Sequence, residues 1–159
     1  MAVAVIASGH PAVYDVLVAL HVVTAVAGFG AVAVSGAYGA LGRHGDQAPD
    51  TAGDVERYFS SPGRLEYLVL VAPLFGIAAM GVRPGGREFG ELWAVCGVAI
   101  WVAAGGLLTA VVRPAERQIR AAGGEPEGAA PAARRLAWAA AATDVLFVAA
   151  LFLMVTQPG

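Results

Sequence analysis

A chain of 159 residues with 58% apolar and only 14% charged side chains lies far from the soluble balance of about half apolar and a quarter charged, so lipid is its expected solvent. The formal net charge of −2 gives no electrostatic footprint for nucleic acid, and every basic residue is an arginine. Cys96 is the single cysteine and sits inside an apolar block, which excludes an intrachain disulfide, a thiol pair and a zinc-finger array; it reads as a small core residue.

Met1 to Val13 carries no Lys or Arg, and the apolar block behind it is too long for a signal peptide, so that block is read as a retained span. The first span covers residues 14–41, longer than the roughly 20 residues that cross about 30 Å of hydrocarbon, and should tilt or project. Asp46 to Arg64 mixes acidic residues with Tyr58 and Phe59 and reads as a loop with a short interfacial helix, after which Ser61-Pro62-Gly63 offers a helix start. The second span, 65–82, contains Pro73, which frees a carbonyl and should bend the helix. Arg83-Pro84-Gly85-Gly86 is a turn. The third span, 92–112, runs into an amphipathic extension, 113–121, whose Arg113, Arg117 and Arg120 recur at helical spacing and are expected along lipid headgroups. A Gly, Pro and Ala linker, 123–131, precedes the fourth span, 136–156. The whole chain is then one membrane domain: an all-α, transmembrane four-helix bundle.

Four crossings put both termini on one side. The first loop carries Arg43, Arg57 and Arg64, and the third Arg113, Arg117, Arg120, Arg134 and Arg135, against Arg83 and Arg87 in the second. The positive-inside rule places the arginine-bearing loops in the cytoplasm of a bacterial cell, in its inner membrane, with both termini outside.

Ionisable groups inside a span call for a functional hypothesis. His21 lies in the outer half of span one and Asp144 near the middle of span four. His21, Thr24, Gly28 and Ser35 fall on one stripe, beside a small-residue ridge of Ala27, Ala31, Ser35 and Gly39 that lets another helix approach. His21 therefore faces the bundle, as an interhelical hydrogen-bonding group or as a metal or haem ligand. Asp144 shares a face with Ala137, Ala140 and Ala141, where a carboxylate needs a proton or a partner. Thr109, His21 and an inward-reaching arginine are the candidate partners, and its roles range from helix adhesion to proton relay or cation site. Trp101 is the deep tryptophan, whereas Trp93 and Trp138 stand near span starts as interfacial anchors. Glu66 and Asp15 open their helices and read as partners of the helix dipole. The candidate cofactor site is thus His21, Thr24, Gly28, Trp101 and Asp144, with His21 the candidate metal ligand. No Ser-His-Asp set, metalloprotease helix motif or hydrolase-type carboxylate pair appears.

The run Tyr14-Asp15-Val16-Leu17-Val18-Ala19-Leu20-His21-Val22-Val23, with the small-residue stretch to Gly42, resembles the opening of a family of small four-span integral membrane proteins of unknown function. The Leu-His pair in a first span is also similar to that of the copper-resistance D family and the membrane-bound protoporphyrinogen oxidases. That resemblance implies a four-helix bundle over the full length and a b-type haem linked to His21. From residues and resemblance together, the expectation is a non-enzymatic membrane component that binds haem or a quinone-sized cofactor, surrounded by membrane lipids, as a homo-oligomer or an accessory subunit of a larger membrane complex. The competing readings are a proton-coupled carrier or channel and a haem-dependent redox enzyme.

Overall fold

In hydrocarbon each peptide group must find its partner within its own segment, and the four apolar blocks accordingly form helices. The computed structural model describes residues 12–42, 49–60, 65–82, 90–122 and 126–156. They form α1 (Ala12–Leu41), α2 (Pro49–Ser60), a 3₁₀ turn (Leu65–Tyr67) leading into α3 (Leu68–Val82), α4 (Leu92–Leu107), a π-helical turn (Leu108–Val112), α5 (Arg113–Ala121) and α6 (Pro126–Thr156). The described residues contain no strand. Four of the helical stretches are long and apolar enough to cross a membrane, with mean hydropathy of 2.0 to 2.2. Only 17 to 22% of those windows is buried within the protein, so most of each span presents apolar side chains outward, among them Val23, Val102, Val145 and Val155. That is the surface of a bundle built for lipid.

α1 lies between α3 and α6, α4 packs on α6, and α3 and α4 meet more sparsely. Glycine sets the first two contacts. A Cβ on Gly28 would stand 2.5 Å from the Val69 backbone nitrogen, and one on Gly36 would collide with the Cβ of Ala140. Gly39 faces Leu136 and the Ala133 carbonyl. His21 meets Gly76 while Ser35 meets Glu66, which makes α1 and α3 antiparallel. Gly36 against Ala140 and Phe29 stacked on Phe147 at 4.5 Å do the same for α1 and α6.

The expected bend at Pro73 has a specific consequence. Proline at that position leaves the Val69 carbonyl without its partner four residues on, and the Trp101 indole Nε1 on α4 donates to it at 3.1 Å. A second irregularity precedes α5, where the Arg113 backbone N–H bonds to Leu108 O, five residues back. The widened turn lies just ahead of Pro114, whose missing N–H interrupts the ordinary ladder.

Two expectations require correction. The stretch read as a linker, 123–131, is helical from Pro126: residues 126–131 extend α6, whose next turn buries Ala132 and Ala133, so packing overrides the Gly and Pro content there; residues 123–125 lie outside the described residues. Arg113, read as a headgroup arginine, is buried. The turn with Arg83 and Arg87, the Ser61-Pro62-Gly63 start, and His10, His44, Arg43 and Arg64 also lie outside the described residues.

Candidate functional site

Polar groups gather at the two ends of the bundle in different ways. At the end that holds the starts of α1 and α4, a cavity of about 340 Å³ opens between α1, α3, α4 and α6. His21, Trp93, Trp101, Met80, Met154 and Phe147 are among its lining residues, and the remainder is largely aliphatic. The sparse α3–α4 contact leaves this space. Gly76 makes room for the imidazole, since a Cβ there would lie 3.0 Å from His21 Nδ1.

His21 Nδ1 is 2.7 Å from Ala72 O. A carbonyl only accepts, so Nδ1 carries the hydrogen, and in the neutral imidazole Nε2 is left with a lone pair. A backbone carbonyl holding one imidazole nitrogen fixes the ring, an arrangement that metal-binding histidines also use. Among the described residues, no group of three or more His, Cys, Asp and Glu is placed to hold a metal ion.

Of the residues singled out from the sequence, His21 and Trp101 line this cavity and Thr24, Gly28 and Asp144 do not. The Thr24 hydroxyl donates to Leu20 O at 2.6 Å and to His21 O at 3.1 Å within its own helix. Gly28 is the α1–α3 contact. Asp144 is half-buried on α6 with no hydrogen bond or ion pair to any described residue. Of its candidate partners, Thr109 donates to Gly105 O at 2.8 Å and His21 bonds to Ala72. Trp93, read as an interfacial anchor, also lines the cavity, while Trp138 is exposed on the outer surface.

The opposite, arginine-bearing end holds a buried ionic cluster that sequence reading missed. Arg113 Nη1 lies 3.2 Å from Glu66 Oε2 and 3.4 Å from Glu116 Oε2, so two carboxylates converge on one nitrogen. Glu66 and Glu116 are each 3% exposed. The guanidinium also sits over the Tyr67 ring, 4.0 Å from its centroid, a cation–π contact. Ser35 donates to Glu66 Oε1 at 2.9 Å, and because its hydroxyl has a single hydrogen, Tyr58 must donate to Ser35 across their 2.7 Å contact. Burial, reinforced by the neighbouring carboxylates, pushes the Tyr58 phenol up, which keeps it a donor. Tyr58 stacks on Tyr38 at 4.2 Å and ties the amphipathic α2 to the bundle. Glu66 is thus an ion-pair member rather than the dipole partner expected from its place at a helix start. One signal for the pair was present in the sequence: an acid at the start of one span and a base at the end of the next fall at the same depth in a bundle of alternating direction.

No family model matches the chain, and no curated protein or solved structure matches it significantly.

Proposed function

We propose that the chain is a non-enzymatic membrane component that holds a lipid-soluble ring compound of quinone size in the cavity beside His21. The supporting observation is the cavity's chemistry: about 340 Å³ of largely apolar space, inside the size range of small-molecule pockets, with a fixed imidazole whose Nδ1 is engaged and whose Nε2 is a lone pair. The Trp101 indole hydrogen is already given to Val69. Such a lining selects a hydrophobic ring carrying a hydroxyl, which donates to Nε2, and the reduced, quinol form meets that requirement. Access is from the bilayer, where such compounds dissolve.

A b-type haem fits in part. His21 supplies an axial nitrogen and Met80 and Met154 line the same cavity, a pair of ligand types that haem accepts. Among the described residues no arginine lines the cavity to meet the propionates, and we favour quinol as the occupant on the apolar lining and the imidazole acceptor. The cell-membrane location, with both termini outside, belongs to this proposal and rests on the distribution of arginine.

Protein purified in mild detergent and titrated with a short-chain quinol should lose Trp93 and Trp101 fluorescence saturably. His21→Ala should weaken that binding about tenfold, the worth of one buried hydrogen bond. A Soret band in the purified protein would replace quinol by haem. Absence of both saturable quenching and a Soret band removes the reading.

A further inference from the structure

Among the described residues, the cluster at the arginine-bearing end contains more negative than positive buried charge. Glu66 and Glu116 face the buried guanidinium of Arg113; Arg120 approaches Glu116 at 3.9 Å from a partly exposed position, where water screens it. Two carboxylates that share a dry site are not both ionised at little cost. One buried atom is also short of a donor: Glu66 Oε2 accepts no hydrogen bond, its 3.2 Å approach to Arg113 being an ion pair without hydrogen-bond alignment. The Glu66 and Glu116 Oε2 atoms approach the same Arg113 Nη1, at 3.2 and 3.4 Å, which brings the two carboxyls together.

From this geometry we infer that Glu66 and Glu116 hold one proton between them, which makes the cluster a proton-binding site of the bundle. A hydrogen on Glu116 supplies the donor that Glu66 Oε2 lacks and brings the pair to charge balance with Arg113. Among the described residues, the other groups facing the pair have their own assignments. From α1, Ser35 donates to Glu66 and Tyr38 reaches it only through Tyr58; from α2, Tyr58 donates to Ser35; Tyr67 covers Arg113. α6 packs on α5, and its Arg134 and Arg135 point outward. Glu116 stands on α5, outside the 92–112 span, and burial first, then the Glu66 charge, push its carboxyl up. The Tyr58–Ser35–Glu66 hydrogen-bonded chain runs from the pair to α2, at the end away from the His21 cavity. The site is independent of any ligand bound there.

Infrared spectra of the full-length protein in lipid nanodiscs, recorded across pH, test the assignment. A protonated-carboxyl C=O band should persist at neutral pH, disappear in both Glu66→Gln and Glu116→Gln, and survive in Asp144→Asn. Because the folded-state affinity of Glu116 for the proton is raised, thermal stability should be full below the ordinary glutamate range and fall as pH rises through the titration of the band. Glu116→Gln, which keeps an N–H where the acid keeps its proton, should flatten that dependence and stay folded. A band lost in Asp144→Asn but retained in both glutamine variants, absence of any band at neutral pH, or displacement of the band by sodium at fixed pH would each overturn the proposal.

Discussion

The two ends of this bundle solve the problem of polar groups in lipid in opposite ways. Around His21 the helices stand apart, one imidazole is anchored to a backbone carbonyl, and the rest of the wall is largely apolar space. Around Arg113 charge is packed with charge, hydroxyls complete the network, and two short amphipathic helices, α2 and α5, close over it. The first arrangement leaves room for a molecule. The second ties α1, α2, α3 and α5 together. In one small chain, open space and structural cohesion are therefore found at different depths.

The largest expected effect probes the cohesive end. Arg113→Met strands the buried negative charge of the Glu66–Glu116 pair and should cost about 3–5 kcal/mol of stability, read as a drop in thermal midpoint in detergent. Adding Glu66→Gln and Glu116→Gln to it should restore most of the loss, while the ligand affinity of the His21 cavity stays unchanged in the restored protein. Equal damage to both would erase the division between the two ends.

Much of the fold was legible because its signals are local. Apolar length gave the four spans, Pro73 the freed carbonyl, and the mixed charge and aromatic pattern of Asp46 to Arg64 the short helix outside them. His21 and Trp101 were found by depth. The ionic cluster was not, since Glu66 next to a helix start and Arg113 in an arginine series each have a sufficient local explanation, and only the meeting of separate helices removes it. Asp144 shows the converse: its sequence context asks for a partner, and the described residues around it provide none.

A middle-sized effect tests what holds the helices at their distances. Gly28→Ala should cost about 1–3 kcal/mol by driving α1 from the α3 backbone. Gly30→Ala, where no atom lies within 4 Å of the new methyl, should be neutral or gain up to about 1 kcal/mol from helix propensity. Thermal unfolding of the two variants, two residues apart, separates close approach from glycine content.

The smallest effect concerns the wall shared by cavity and core. Trp101→Phe removes the donor to Val69 O and should cost about 1–2 kcal/mol. Pro73→Ala restores a backbone N–H for that carbonyl, so the tryptophan change should cost much less in its presence. A double-mutant cycle that shows additive losses would mean that the indole contributes packing alone.

The π-helical turn at Leu108–Val112 lets one continuous rod serve two solvents. Each residue of an α-helix advances the angular position by about 100°, so an extra residue accommodated in one turn re-aims everything after it. Upstream, α4 turns Trp93, Trp101 and small side chains such as Ala94 and Ala104 toward its neighbours; downstream, the same rod brings Arg113 and Glu116 inward and leaves Arg117 outside. With that angular offset Arg113 and Glu116 are buried, and this turn, rather than any loop, is the point where the helix passes from an oily to an ionic interior.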